Sequence, residues 1–134
     1  MIVGLGVDLV EIERIRSIYV RHAERFLQRI LTGAEREYVL AHANPCPRLA
    51  GRWAAKEAAV KALGTGVADG IRWVDLEVLP NAFGKPVLTF HGKALERAKL
   101  LEADTFHVTI THSDSMALAQ VILERNLTRE DAAR

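Results

Sequence analysis

RLAGRWAAKEAAVKALGTG, residues 48–66, is the stretch of this sequence that decides the fold. It is rich in alanine, the residue with the highest helix propensity. Gly64 follows the last apolar residue, at the position where a glycine commonly caps a helix. The stretch therefore predicts a helix from Arg48 to Leu63, followed by a tight, exposed turn at Gly64-Thr65-Gly66.

The two sides of this helix differ in the size of their side chains. One side carries a bulky apolar stripe, and Lys56 falls inside that stripe with Glu57 at its edge. A charged residue rarely takes such a position without a partner. The other side is small enough for another element to pack closely against it, and it consists of Gly51, Ala54, Ala55, Ala58 and Ala62.

The segment Ile2 to Asp8 reads as a strand in which Asp8 falls on the same face as two glycines. A carboxylate at the end of this strand and Glu57 in mid-helix could share a hard cation that prefers oxygen ligands, and magnesium is the natural choice. Lys61 and the glycine turn would then offer positive charge and backbone N–H groups to phosphates. The alternative is an ordinary surface pair between Glu57 and Lys61.

The remaining pattern indicates an α+β fold, one compact domain with a small antiparallel sheet, one long helix and several shorter ones. Thr32 and Glu35 form a capping box at the start of a helix. The predicted helices are Val10 to Leu31, which is bent or divided, Thr32 towards His42, and Lys93 to Leu101. The other predicted strands are Ile71 to Leu79, Pro86 to Phe90, Thr105 to Thr111, and Met116 to Leu123.

Composition narrows the class of protein. The chain has 134 residues and 49% hydrophobic content, which fits a single domain. Its apolar runs are shorter than the roughly 18 needed to span a membrane, and no leader is recognisable, so we expect a soluble, cytoplasmic protein. The net charge is only +1, since the chain has eighteen Lys and Arg residues and seventeen Asp and Glu residues, and only 6% of its residues are aromatic. Both features argue against a surface that binds nucleic acid. The single Cys46 excludes an intrachain disulfide and a multi-thiolate zinc site.

Four segments together resemble the bacterial holo-acyl-carrier-protein synthases, which are phosphopantetheinyl transferases. They are Ile2–Glu11, Gly51–Gly66, Gly84–Pro86 and Val108–His112. Their order and spacing match over almost the whole chain. The resemblance implies transfer of phosphopantetheine from coenzyme A to a serine of apo acyl carrier protein, with release of adenosine 3',5'-bisphosphate, in support of fatty acid biosynthesis. It also implies a transferase domain over residues 1–125. The remaining residues, 126–134, are charged, and we expect them to form a frayed tail.

The resemblance also implies the roles of particular residues. Asp8 and Glu57 match the family's magnesium ligands, and with Lys61 they form the implied catalytic group. Glu57 is the candidate acceptor of the serine proton, although the identity of the base stays open. The implied coenzyme contacts are Arg52, Lys56, Lys61, Gly64, Thr65, Gly66, Lys85 and His112. The family assembles as a homotrimer with active sites between subunits.

An arginine-rich segment near the N-terminus is the predicted docking surface for the acidic carrier protein. Arg14, Arg21 and Arg25 share one broad side if the helix continues without a break. The alternative is that nearby glutamates neutralise them within their own helix. Two other functions compete with the transferase. One is a binding module for RNA or an acidic protein, and the other is a magnesium-dependent pyrophosphohydrolase.

Overall fold

Five strands, five α-helices and one 3-10 turn make up the part of the chain that the computed structural model describes, residues 1–66 and 70–134. In chain order they are β1 (Ile2–Glu11), α1 (Ile12–Ile30), α2 (Gly33–Leu40), α3 (Cys46–Leu63), the 3-10 turn Trp73–Asp75, β2 (Leu76–Pro80), β3 (Pro86–Phe90), α4 (Gly92–Leu100), β4 (Thr105–His112), β5 (Met116–Glu124) and α5 (Arg129–Ala132). These elements form one α+β domain, as predicted.

Two antiparallel sheets frame the fold. The larger has the strand order β1-β5-β4, so β1 and β4 are its edges, and the smaller is the β2-β3 hairpin. Helix α3 crosses one face of the larger sheet and packs on all three of its strands. All six alanines of α3 are buried. The helix on which Lys56, Glu57 and Lys61 lie is therefore fixed directly against the sheet.

Glycines on both elements allow this close packing. Gly4 and Gly6 of β1 lie against the carbonyl oxygens of Ala62 and Ala58, and a Cβ at either glycine would collide with those oxygens. At the other end of the helix, a Cβ on Gly51 would come within 3.0 Å of Ile110 Cγ2 on β4. The predicted small side of α3 thus faces the sheet, and β1 and α3 are nearly in backbone contact.

The opposite face of the larger sheet is uncovered within the described chain, and its β1 side is apolar. Leu5, Val7 and Leu9 of β1 are each more than half exposed. Their register partners on β5 are half-buried, and they are Ile122, Gln120 and Leu118. In contrast, Ala117, Ala119, Val121 and Leu123 on the α3 side of β5 are completely buried. A large apolar strip on a sheet is typical of a contact surface.

Helix α1 is one segment with a break. Strand β1 continues to Glu11, three residues beyond its predicted end, and α1 begins only at Ile12. His22 interrupts the helix with φ −137° and ψ 34°, which confirms the prediction of a bent or divided helix. The premise that the arginines share an unbroken helix is therefore wrong, because Arg14 and Arg21 precede this kink and Arg25 follows it.

The predicted strand from Ile71 to Leu79 is only partly present. Residues Trp73–Asp75 form a 3-10 turn, and the strand begins at Leu76. The cause is local, because the Asp75 carboxylate accepts a hydrogen bond from Arg72 N at 3.0 Å and closes the chain on itself.

In the part of the chain described, no helix combines the length and the hydropathy needed to cross a bilayer.

The charged C-terminal tail, which the sequence predicts to be frayed, contains the short helix α5 (Arg129–Ala132). A capping box starts the short helix α5, since the Thr128 hydroxyl accepts a bond from Asp131 N at 3.2 Å and the Asp131 carboxylate accepts one from Thr128 N at 2.9 Å. Arg125 lies 3.9 Å from the Asp131 carboxylate. The tail therefore has ordered local structure that a purely compositional reading overlooks.

We predict that Gly6→Ala lowers the free energy of unfolding by about 1–3 kcal/mol, because the added methyl group overpacks the contact with Ala58. Gly33→Ala is the matched control. A Cβ at Gly33 would meet no atom within 4 Å, so this substitution leaves the stability unchanged or raises it by less than about 1 kcal/mol. Urea denaturation measures both. Equal stability of Gly6→Ala and the wild type would contradict the close packing of α3 on β1.

Candidate active site

Asp8 and Lys61 meet at the free edge of β1. Lys61 Nζ donates to Asp8 Oδ1 at 3.0 Å and to the carbonyl oxygen of Val7 at 3.0 Å. The Asp8 side chain is only 17% exposed, whereas that of Lys61 is about half exposed. Lys61 is thus paired with the strand and not with Glu57 on its own helix. The close approach at Gly6, two residues earlier, brings the strand within reach of this lysine.

Glu57 lies in the electrostatic field of the same cluster. Burial raises the pKa of its carboxyl group, and the charge of Asp8 raises it further. Lys61 and Arg14 act in the opposite direction and lower the pKa. Two carboxylates, one lysine and one arginine are therefore gathered here. We call Asp8, Glu57, Lys61 and Arg14 the acidic cluster.

The two carboxylates fit a magnesium ion. Mg²⁺ binds through one or two carboxylates and takes its other oxygens from water and substrate phosphates. Among residues 1–66 and 70–134, no group of three or more His, Cys, Asp or Glu side chains is arranged to hold a metal. An ion between Asp8 and Glu57 would relieve the mutual repulsion that raises the pKa of Glu57. Such a site would leave coordination positions open to phosphate oxygens.

The turn after α3 presents backbone groups close to this helix end. Gly64 has φ +76° and its N–H donates to the carbonyl oxygens of Val60 and Lys61, both at 3.1 Å. Gly66 has φ +65°, so both glycines take a left-handed conformation that other residues rarely adopt. Both are exposed. The predicted tight, exposed turn is confirmed.

A second group of cations lines a cavity of about 200 Å³ on the β4 side of α3. Arg52 is only 6% exposed, and its guanidinium lies 4.5 Å from the centroid of the Tyr38 ring. Its Nε has no hydrogen-bond partner in the described chain, and burial lowers the pKa of the group. An unsatisfied buried donor is costly. The cavity, which we call the arginine pocket, is lined by Tyr38, Pro47, Arg48, Gly51, Arg52, Gly84, Pro86, Ile110 and His112.

The acidic cluster and the arginine pocket lie at opposite edges of the larger sheet. In the register of the sheet, Asp8 on β1 is opposite Ala119 on β5, which in turn is opposite Ile110 on β4. His112 lies two residues beyond Ile110 on that far edge strand. Strand β5 therefore separates the two groups of residues within one chain.

Comparison with known proteins decides the family. The family model of the 4'-phosphopantetheinyl transferase superfamily matches residues 4–120. The chain belongs to this superfamily.

The relatives of this transferase chain match it over nearly their whole length. A holo-[acyl-carrier-protein] synthase from Solidesulfovibrio magneticus is 53% identical over 126 residues, which cover 92% of this chain and 99% of the relative. One from Maridesulfovibrio salexigens is 49% identical, covering 93% and 100%. The crystal structure of a holo-(acyl-carrier-protein) synthase from Bacillus anthracis, in complex with CoA (3',5'-ADP), is 37% identical, with a TM-score of 0.78 over 94% of this chain and 99% of that one.

Lys56 is the one implied coenzyme contact that the transferase structure contradicts. Its ammonium group is fully buried, and it donates to Glu35 Oε1 at 2.8 Å, to the carbonyl oxygen of Trp73 at 2.9 Å and to that of Leu76 at 2.5 Å. All three donors are used inside the chain, so none remains for a ligand. Lys56 joins α3 to α2 and to the start of β2.

Sequence reasoning missed Glu35 as the partner of Lys56. The carboxylate of Glu35 is fully buried and also accepts bonds from Thr32 N and Val78 N, both at 2.9 Å. The capping box was recognised, but its glutamate has a second role in neutralising the buried lysine. A lysine inside an apolar stripe requires a buried acid as its partner. This requirement was the signal in the sequence that could have indicated such a partner for Lys56. Arg48 and Tyr38 in the arginine pocket were missed as well.

The other predicted residues are distributed as follows. Lys85 lies on the turn between β2 and β3 but lines a different cavity, of about 320 Å³, with His107 and Gln120 on the outer face of the sheet. Arg25 lines a further cavity on α1 with His22 and Phe26. Within the described ranges, Arg14, Arg21 and Arg25 form no ion pair with an acid, whereas Glu13 pairs with Arg16 and Glu24 with Arg36.

We predict that Lys56→Met lowers the free energy of unfolding by about 3–5 kcal/mol, because it leaves the buried Glu35 carboxylate without its cation. Lys61→Met, the matched control, removes a half-exposed pair and changes stability by less than about 1 kcal/mol. Thermal melting of both variants tests this. A Lys56→Met protein of wild-type stability with weakened coenzyme binding would restore the direct-contact interpretation.

Proposed function

We propose that this chain is a magnesium-dependent holo-acyl-carrier-protein synthase, which transfers phosphopantetheine from coenzyme A to a serine of apo acyl carrier protein. The relatives that bear this name match 92% and 93% of the chain. The observation that carries the proposal is the junction of Asp8, Glu57 and Lys61 where β1 meets α3. The proposal places the reaction in the cytoplasm, in agreement with the expectation from the sequence.

In the proposed reaction, the serine oxygen forms a bond to the β-phosphorus of coenzyme A, and the bond from that phosphorus to the bridging oxygen breaks. Adenosine 3',5'-bisphosphate leaves, and the serine proton passes to a base. Positioning and neutralisation of charge provide most of the catalysis of such transfers. Lys61 neutralises the pyrophosphate once a phosphate competes with Asp8 for it. The backbone N–H groups of Thr65 and Gly66 bind the phosphate oxygens.

Glu57 is the proposed acceptor of the serine proton. Burial and the neighbouring Asp8 raise the pKa of this carboxyl group in the metal-free chain, and a bound cation would lower it. The proposed role therefore rests on the position of Glu57 beside Asp8 and Lys61, and the proton reaches it directly or through a water molecule. Asp8 and Glu57 are also the residues that would hold magnesium. When bound, the ion supplies positive charge that polarises the pyrophosphate and stabilises the leaving group.

A homotrimer with active sites between subunits is part of the proposal. The exposed strip Leu5, Val7 and Leu9 gives each chain an apolar sheet face to bury against other copies. The arginine pocket lies on the edge of the sheet opposite the acidic cluster. Assembly around a threefold axis would place the β4 edge of one chain beside the β1 edge of the next, so that the two groups act on one coenzyme molecule.

Carrier docking on α1 is the last part of the proposal. Arg21 and Arg25 make no ion pair in the described chain and flank the kink at His22. Their guanidinium groups are available to carboxylates of an acidic partner. Arg14 belongs to the acidic cluster, where its charge lowers the pKa of Glu57. It would therefore connect the docking surface to the site of transfer.

We predict that Asp8→Ala and Glu57→Ala each reduce carrier loading at least about 100-fold, because each removes a ligand of the proposed metal. Intact-mass spectrometry of apo carrier protein, incubated with coenzyme A and magnesium, measures the added phosphopantetheine. Glu96→Ala is the control, since Glu96 forms only an exposed pair with Lys93. If neither variant differs from wild type in loading while circular dichroism shows an intact fold, the proposed metal site is wrong.

We predict that the double variant Arg21→Glu and Arg25→Glu raises the Michaelis constant for the carrier roughly tenfold at low salt, because charge reversal weakens electrostatic steering. The Michaelis constant for coenzyme A stays unchanged, and added salt reduces the difference between variant and wild type. Reversal of Arg129 and Arg134, which lie in the tail, is the control. Normal loading by the Arg21/Arg25 variant at low salt would place docking on another surface.

A further inference from the structure

The glycine turn, residues 64–66, follows the C-terminus of helix α3, which is an unfavourable place for an anion. A helix C-terminus carries a partial negative charge, and its last carbonyl oxygens have no partner within the helix. Phosphates usually bind at the other end of a helix, where backbone N–H groups are available. A phosphate site after Leu63 therefore requires that carbonyl oxygens at the helix end be occupied and that the turn be held in a form that offers N–H groups.

Arg97 of helix α4 occupies one of these carbonyl oxygens. Its Nε donates a hydrogen bond to the carbonyl oxygen of Leu63 at 3.0 Å. The side chain of Arg97 is partly buried, and its Nη2 lies 3.7 Å from the point where a Cβ on Gly64 would be. Arg97 and Leu63 are 34 positions apart, so this contact joins α4 to the end of α3.

The peptide unit between Leu63 and Gly64 is thereby held at both of its polar atoms. Arg97 binds the carbonyl oxygen, and the N–H of the same unit donates to two carbonyl oxygens of the last helical turn, both at 3.1 Å. Gly64 then takes the left-handed conformation that ends the helix. In residues 1–66 and 70–134, the N–H groups of Thr65 and Gly66 have no acceptor. The restrained peptide unit thus directly precedes the two N–H groups that the proposed function assigns to phosphate.

This restraint exists before any ligand binds. A turn that must be ordered during binding loses affinity, because the fixing of each backbone residue costs conformational entropy. A partly buried carbonyl oxygen without a donor is also unfavourable, so loss of the bond to Arg97 would favour other conformations of the turn. A side chain on α4 therefore determines how well the turn after α3 is prepared for phosphate.

We propose that Arg97 is a positioning residue for coenzyme A, which fixes the glycine turn through its hydrogen bond to Leu63 and does not contact the ligand. This inference rests on the proposed function and adds to it a residue of α4 that acts through the backbone. The acceptor is a neutral carbonyl oxygen, so the N–H group at the Nε position performs the role and the charge of the guanidinium group is secondary.

Two substitutions separate the hydrogen bond from the charge. Arg97→Gln places an amide N–H at the position of Nε and removes the charge, whereas Arg97→Met removes both. Isothermal titration with coenzyme A and magnesium gives a dissociation constant about tenfold above wild type for Arg97→Met and within about threefold of wild type for Arg97→Gln. Lys99→Met, which removes an exposed cation from the same helical turn, is the control and leaves binding unchanged.

A second ligand tests whether Arg97 touches the coenzyme. Dephospho-coenzyme A keeps the pyrophosphate and lacks the 3'-phosphate. We expect Arg97→Met to weaken both ligands by the same factor, because the glycine turn binds the pyrophosphate that they share. A loss confined to coenzyme A would mean that the guanidinium group holds the 3'-phosphate, and it would overturn the proposal.

Hydrogen exchange in the wild-type chain provides a test that does not depend on the folding of the variants. We expect the Nε–H of Arg97 to exchange more slowly than those of exposed arginines, and coenzyme A to slow exchange at the amides of Thr65 and Gly66. Fast exchange of the Arg97 Nε–H overturns the proposal. So do equal dissociation constants for Arg97→Met and wild type, or an Arg97→Gln variant as weak as Arg97→Met. A wild-type chain that binds neither ligand contradicts the proposed function itself.

Discussion

The approach of helix α3 to strand β1 is the constraint on which the rest of this structure depends. Gly4 and Gly6 bring the strand against the carbonyl oxygens of the helix, and no larger residue fits there. Asp8, next on the same face, is thereby held beside Lys61 and in the field of Glu57. The distance between two backbones thus determines whether a strand carboxylate and a helix carboxylate can act as one site.

A buried ion pair, in addition to apolar packing, fixes the position of helix α3. Lys56 binds Glu35 and two carbonyl oxygens, which ties α3 to α2 and to the segment that begins β2. Burial of such a pair does little for net stability but makes an altered position of the helix costly. Glu57 is the next residue along the helix, so its direction relative to Asp8 depends on this anchor.

Local patterns in the sequence predicted much of this arrangement. The glycine face of β1, the small side of α3, the cap at Gly64 and the capping box at Thr32 all depend on neighbours in the chain or on simple periodicity. Partnerships between distant residues were not predictable in the same way. The pairing of Lys56 with Glu35 spans 21 residues and depends on tertiary packing. The 3-10 turn at Asp75 was missed because one side-chain bond overrides strand propensity there.

The acidic cluster and the arginine pocket lie at opposite edges of the larger sheet. This arrangement leads to the central proposal, that one chain supplies the acidic cluster and a neighbouring chain the arginine pocket. Mixing two inactive variants tests it most directly. The proposed trimers of Asp8→Ala chains and of Arg52→Ala chains are dissociated, combined in equal amounts and reassembled, and carrier loading is measured at limiting coenzyme A. Random assembly should restore about one quarter of wild-type activity, because that share of the interfaces joins two intact halves. No activity above that of the separate variants would contradict the claim.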